Sequence, residues 1–198
     1  PSYTVFFSGC NFHCQFCQNY DISQRITGIQ ASPQGLAQRL EGISARNINW
    51  VGGEPTPNLN FILETLNNYK GGMPSVWNSN MYMSGEAMRL LHGTQDIFLT
   101  DFKYGNDECA LRLSKVKGYT EIVKRNHRLA NSQAELIVRH LVLPGHIECC
   151  TAVVARFVAE ELGRNTRFNL MFQYRPVYKA YRYSEINRCV SSEEAYMA

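Results

Sequence analysis

The chain reads as an α/β fold, a parallel sheet of six strands covered by helices. Short apolar runs alternate with longer amphipathic ones along all 198 residues. The short runs are apolar on both faces, as strands buried under helices must be. No internal repeat, low-complexity tract or Gly/Ser/Pro-rich linker interrupts the alternation, so a single domain over 1–198 is expected. A doubly wound sheet and a partial barrel share this signature, and periodicity does not separate them.

Tyr3-Thr4-Val5-Phe6-Phe7 reads as the first strand. Ser32 is placed to cap a helix with Pro33 in its first turn, followed by Leu36, Leu40 and Ile43 at helical spacing. Ile48 to Val51 is the second strand, ending in Gly52-Gly53, and a helix runs from Pro57 to Tyr69 until Gly71-Gly72 stops it. Val76-Trp77-Asn78 is the third strand, Ser84 to Leu91 a short helix, and Ile97-Phe98-Leu99 the fourth strand. Helices over Asp107–Leu113 and Thr120–Ser132 lead to a fifth strand from Leu136 through Leu143. A helix over Glu148–Leu162 and a sixth strand, Phe168–Phe172, complete the pattern.

Composition is that of an ordinary globular domain, 44% hydrophobic and 19% charged. A net charge of +3 supplies no basic stripe, so no nucleic-acid partner is expected. Apolar runs such as Ala152–Ala155 are too short to span a bilayer, and no secretory leader opens the chain. The first residue is Pro1 and strand residues begin almost at once, which reads as a chain whose head is missing. Seven cysteines, three of them within eight residues, argue against a disulfide framework and for metal in a reducing cytosol.

The unusual residues fall after strand ends, where ligands gather in parallel α/β folds. Cys10, Cys14 and Cys17 follow the first strand, with three and then two residues between them. A compact loop of soft thiolates can hold three corners of an Fe–S cube and leave the fourth iron open. A structural zinc site and a plain electron-transfer cluster are the competing readings. His13, inside the loop, reads as a loop residue and not a ligand.

A CxxxCxxC loop with an aromatic, Phe16, before its third cysteine resembles the signature of the radical S-adenosylmethionine superfamily. The resemblance implies a partial (β/α)6 TIM-type barrel, with Cys10, Cys14 and Cys17 binding a [4Fe–4S] cluster. The open iron would be chelated by S-adenosylmethionine, and Phe16 would lie near its adenine. Gly52-Gly53-Glu54-Pro55 resembles the family's GGEP motif: close backbone approach at the glycines, and Glu54 with exposed carbonyls accepting from an ammonium. Asn78, Ser79 and Asn80 would face the cofactor's carboxylate or ribose. Asp101-Phe102-Lys103 resembles the D-x-K stretch of glycyl-radical activating enzymes. Strand alternation puts Asp101 and Lys103 on one face and Phe102 on the other. Lys103 would neutralise the cofactor carboxylate, a surface ion pair being the alternative. Arg139-His140-Leu141-Val142-Leu143-Pro144-Gly145 resembles the R-x-V-x-x-P-G segment, with Arg139 on a carboxylate or ribose and Leu141 against adenine. His140 falls out of phase and is a poor acid–base candidate. Gln173 or Tyr174 stands where a further polar contact is expected.

The resemblance, from Tyr3 to about Tyr183, is closest to homologues of pyruvate formate-lyase activating enzyme. It implies an oxidoreductase that accepts one electron from a flavodoxin- or ferredoxin-type reductant. That electron cleaves the cofactor to methionine and a 5′-deoxyadenosyl radical for hydrogen abstraction. The substrate stays open between a glycyl-radical partner protein and a small molecule or peptide, and a non-catalytic Fe–S or zinc module is the reading from another class. Cys109, Cys149, Cys150 and Cys189 read mainly as buried packing, with the helix start at Cys149-Cys150 expected to lower a thiol pKa. Without a second CxxxCxxC, no auxiliary cluster is expected.

Overall fold

The computed structural model describes residues 1–198. Strands β1 (Tyr3–Phe7), β2 (Ile48–Gly52), β3 (Ser75–Ser79), β4 (Ile97–Asp101), β5 (Glu135–Leu141) and β6 (Arg167–Met171) form one sheet. They lie in chain order and every neighbouring pair is parallel. A doubly wound sheet reverses its strand order at a switch point. The unbroken order from β1 to β6 is the winding of a barrel, left open because β6 does not pair with β1. The fold is a partial TIM-type barrel.

Helices follow the strands: α1 (Tyr20–Ser23), α2 (Pro33–Glu41), α3 (Leu59–Asn68), α4 (Gly85–Leu91), α5 (Asp107–Ser114), α6 (Tyr119–Gln133), α7 (Ala152–Phe157) and α8 (Ser192–Met197). Local chemistry sets their starts. Ser32 accepts from Gly35 N–H at 3.1 Å with Pro33 at the first position, and Ser84 accepts from Ala87 N–H at 3.1 Å. The expected helix over Glu148–Leu162 is one continuous segment, but α7 is flanked by π-helical turns at Ile147–Thr151 and Val158–Leu162. No helix is long and apolar enough to cross a membrane.

Register explains which strand residues meet the helices. Val5, Trp50, Trp77, Phe98 and Leu136 pair across the sheet in one row and face the helical layer. Trp50, Trp77 and Phe98 are fully buried in the core there. The opposite face carries Asn78, Leu99, Asp101, Ile137, Arg139 and Leu141, all only half-buried. The strands are therefore less uniform than two-sided apolar runs suggest. One face is sealed, and the other opens to a cleft at the carboxyl ends.

Candidate active site

The first loop, between β1 and α1, has no regular hydrogen-bonding pattern of its own and is held by its surroundings. Gly9 N–H donates to Ile22 C=O at 2.7 Å. The N–H groups of His13 and Gln15 donate to the carbonyls of Ser114 and Leu113, at 3.0 and 2.8 Å. These are last-turn carbonyls of α5, which have no partner inside their own helix, so loop and helix end satisfy each other. The same helix supplies Ser114 Oγ, which donates to Cys14 Sγ at 2.9 Å. Phe12 N–H donates to Cys10 Sγ at 3.3 Å, and Cys17 Sγ shares a hydrogen bond with Ser23 Oγ at 3.1 Å. Burial, then the neighbouring Glu54 carboxylate, pushes the Cys10 thiol up. Burial pushes Cys14 up to about 11, opposed by Lys103 and by the Ser114 bond. His13 is exposed and bonds Gln24 at 2.7 Å, as a loop residue would.

All three cysteines line one cleft of about 290 Å3 at the carboxyl ends of the strands. It also receives Phe16 from the same loop, and Gly52, Gly53, Glu54, Asn78, Ser79, Asn80, Asp101, Lys103, Arg139 and Leu141 from the ends of β2 to β5. Of the residues expected there, only Pro55 is absent; it is buried away from the cleft. Gln173 lines the cleft, whereas Tyr174 does not. Tyr174 is buried, donates to Ile186 C=O at 2.7 Å and packs edge-on against Phe16. Met171 and Asn19 also line the cleft, and nothing in their spacing marks them. A larger cavity of about 790 Å3 beside Pro74-Ser75, at the opposite end of the sheet, gathers no thiol and no cation.

The Gly-Gly-Glu-Pro turn also has a structural role. A Cβ at Gly52 would lie 2.1 Å from Phe7 O, and one at Gly53 would lie 2.2 Å from Gly9 O. Close approach of the end of β1 at Gly52, and of the cysteine loop's backbone at Gly53, already demands both glycines. Glu54 is buried and its carboxylate is surrounded by donors from the protein. Oε1 accepts from Ser79 Oγ and Thr56 Oγ1, each at 2.6 Å, and from Thr56 N–H at 3.3 Å. Oε2 accepts from Asn80 N–H at 2.9 Å. Burial pushes this carboxyl up, and these four donors oppose it. Asn80 Nδ2 in turn donates to Asn11 Oδ1 at 2.8 Å. A chain of hydrogen bonds thus ties the ends of β2 and β3 to the cysteine loop.

Asp101 sits between two cations. Lys103 Nζ is 2.8 Å from Oδ2 and Arg139 Nη2 is 2.8 Å from Oδ1. The three side chains are 23–25% exposed, so this is a recessed array and not the surface ion pair held as the alternative. Burial would raise the Asp101 carboxyl, but Lys103 and Arg139 outweigh it and hold it low. Burial would likewise lower Lys103, but Asp101 and then Cys14 hold it up, so the ammonium stays charged. Arg139 Nη2 also donates to Asn78 Oδ1 at 2.6 Å, while the buried Nε has no acceptor. His140 lies on the sealed face, bonded to Phe102 O at 2.7 Å and Thr151 Oγ1 at 3.0 Å.

Of the cysteines outside this loop, Cys150 is buried in the core and Cys109 and Cys149 pack against it, as expected. Cys109, Cys149 and Cys150 gather with His146 in a second cluster, and burial raises the Cys149 and Cys150 thiols where the helix start was expected to lower one. The spacing His146-x-x-Cys149-Cys150 is visible in the sequence, but Cys109 joins it only through the fold. Cys189 is exposed.

Three soft thiols, an orphaned guanidinium N–H and a recessed cation pair in one cleft suit an Fe–S cluster beside a charged organic cofactor. Residues 4–158 match the Radical SAM superfamily, and the chain belongs to it. Membership brings a [4Fe–4S] cluster and S-adenosylmethionine as cofactors.

Among curated relatives, the uncharacterized protein MJ0674 of Methanocaldococcus jannaschii is 49% identical over 203 residues, which cover 98% of this chain and 60% of that one. A second from the same organism, MJ0808, is 27% identical over 86% of this chain and 52% of its own length. The chain thus spans 60% and 52% of the curated relatives it matches. Streptococcus suis SuiB bound to S-adenosylmethionine superposes with a TM-score of 0.64 at 13% identity, covering 90% of this chain and 43% of that one. At that identity the likeness is one of fold.

Proposed function

We propose that Cys10, Cys14 and Cys17 ligate the cluster, and that the strand-end cleft binds S-adenosylmethionine for reductive cleavage. When bound, the cluster would supply one electron to the sulfonium, releasing methionine and a 5′-deoxyadenosyl radical that abstracts hydrogen. The observation that carries this reading is the meeting of three thiols and the Asp101–Lys103–Arg139 array in one recess. Lys103 and Arg139 share a single carboxylate, so the array keeps one positive charge to offer the cofactor's carboxylate. Backbone carbonyls of the Gly52-Gly53 turn, with the free lone pairs of Glu54, face the ammonium. Phe16 and Leu141 give the adenine its apolar walls, and Asn78, Ser79 and Asn80 orient the polar groups between. Pro55 serves the turn from behind.

The finer reading is a glycyl-radical activase, supported by the Asp101-Phe102-Lys103 and Arg139-to-Gly145 segments. It would be served by a flavodoxin- or ferredoxin-type reductant in a reducing compartment, as seven unpaired cysteines suit. Anaerobic reconstitution with iron, sulfide, dithionite and S-adenosylmethionine tests the first step, with 5′-deoxyadenosine read by mass spectrometry. Reconstituted protein that forms none refutes radical catalysis, and C14A must form none. A glycyl doublet in electron paramagnetic resonance of a co-incubated partner supports the activase. Turnover without one moves the substrate to a peptide or small molecule. SuiB, which shares the fold, has been crystallised with its precursor peptide SuiA.

A further inference from the structure

Four ligand-type side chains outside the active cleft point at one another. Cys109 sits in the first turn of α5, while His146, Cys149 and Cys150 come from the entry to α7 and its π-helical turn. Cys109 Sγ lies 3.5 Å from His146 Nδ1 and 3.9 Å from Cys149 Sγ. His146 Nδ1 is 3.3 Å from Cys149 Sγ, and Cys149 Sγ is 3.8 Å from Cys150 Sγ. All four donor atoms lie within 4.8 Å of one another.

Four of the six separations match the edges of a coordination tetrahedron, and the other two are no longer than 4.8 Å. Zinc holds thiolates at about 2.3 Å and imidazole at about 2.0 Å, which sets tetrahedral S···S edges near 3.8 Å and S···N edges near 3.5 Å. A disulfide would need the sulfurs about 2.05 Å apart, and Cys109 and Cys149 are at 3.9 Å. An Fe–S cube, with a separate iron for each thiolate, spreads its ligands more widely than a single ion does. Packing alone accounts for buried thiols, but not for an imidazole nitrogen set against two of them. The other ring nitrogen, Nε2, is buried with no acceptor, so no hydrogen bond of its own turns the ring this way.

We propose that Cys109, His146, Cys149 and Cys150 bind one zinc ion in a closed, structural site. The local backbone is built for the approach. A Cβ at Gly105 would lie 2.4 Å from Cys149 O, and Asn106, which caps α5, donates from Nδ2 to that same carbonyl at 3.0 Å. The π-helical turn shifts the register at Cys149-Cys150, and such turns gather at functional positions. The ion ties the first turn of α5 to the start of α7. The last turn of α5 holds the cysteine loop through the Leu113 and Ser114 carbonyls and through Ser114 Oγ on Cys14. Zinc is therefore a brace for the helix that positions the cluster loop, and it takes no part in the chemistry.

The test uses the full chain as C10A/C14A/C17A, so that iron at the first loop does not obscure the count. Elemental analysis of anaerobically purified protein is expected to find about one zinc per chain. Cobalt exchange should give the intense visible bands of a tetrahedral thiolate site. Adding C109S and C149S should remove both signals. H146C should keep the ion and strengthen the thiolate-to-cobalt charge transfer as a fourth sulfur joins, which serves if the serine variant does not fold. Three results would overturn the proposal: no bound zinc and no cobalt spectrum in the folded triple variant, Fe–S absorption in that variant, or a Cys109–Cys149 disulfide in anaerobic protein.

Discussion

Removing the Glu54 carboxylate should cost the fold far more than neutralising it. In E54A, Ser79 Oγ and Asn80 N–H lose their acceptor, and both residues are almost completely buried, at 2% and 4% exposure. Each unsatisfied buried donor costs about 1–3 kcal/mol, so the pair amounts to roughly 2–6 kcal/mol. Thr56 is only half-buried, so water replaces its lost acceptor at little cost. E54Q keeps one oxygen for Asn80 N–H and turns its amide toward the two hydroxyls. Burial already disfavours the charged carboxylate there, so losing the charge offsets part of what the weaker bonds give up. About 1 kcal/mol is expected for E54Q, since hydroxyls can rotate to accept where the backbone N–H cannot. Urea titration of the metal-free protein, followed by the fluorescence of the buried Trp50 and Trp77, reads both variants. If E54A unfolds within 1 kcal/mol of the parent, Glu54 is not the brace between β2 and β3, and its carboxylate is free for the cofactor. Equal large losses in both variants would show that the charge itself is what the site needs.

The remaining predictions address the cleft and the core. K103M should weaken S-adenosylmethionine binding about ten- to hundredfold, the worth of one charge-assisted hydrogen bond. Its iron content should be unchanged, and calorimetry on the reconstituted protein checks both. G53A must push its Cβ into Gly9 O, 2.2 Å away on rigid backbone, and should lose roughly 3 kcal/mol of stability. A thermal melt matching the parent would show that the loop can yield. Acid should act through His127, which is fully buried between Val123 O and Thr100 Oγ1 and held at about 4, first by burial. The unfolded chain takes up that proton near 6.5 and the folded one only near 4, so stability is intact above 6.5 and falls by about 3 kcal/mol as pH drops through that window. H127Q should flatten that slope in urea titrations at stepped pH.

The six strands were legible because each is a short, largely apolar run between longer amphipathic stretches. Ser32 and Ser84 mark helix starts in the chain as they do in the fold. Even the order of the sites at strand ends could be read before any contact was known. What could not be read is how the motifs serve one another. Glu54 finds its donors at Ser79 and Asn80, 25 and 26 residues on, so spacing alone does not reveal that it also braces β2 against β3. Barrel winding depends on strand order, which periodicity does not encode. Some signals were present and unused: Ser191-x-x-Glu194 is a capping box that starts α8, and His146-x-x-Cys149-Cys150 is a ligand spacing. Cys109 stands 37 residues from His146, and only the packing of α5 against the start of α7 reveals it.

The electrostatics of the cleft favour a particular kind of guest. Asp101 cancels one of two cations, leaving a single positive charge on the β4–β5 side. Glu54 lines the β2–β3 side with carboxyl oxygens that accept from Ser79 and Asn80. The positive wall repels a simple cation, and the opposite wall offers acceptors rather than donors to a guest. An amino acid headgroup, with ammonium and carboxylate a few ångströms apart, satisfies both walls together. Neither wall can be rebuilt alone, because hydrogen bonds through Asn80 and Asn11 connect the Glu54 side to the cysteine loop, and Arg139 reaches back to Asn78 on β3. The polarity of the guest and the position of the three thiols are therefore set by one continuous network. Substitutions at its polar joints, Asn11 or Asn80, should disturb both cofactors, whereas K103M, at its rim, should disturb only one.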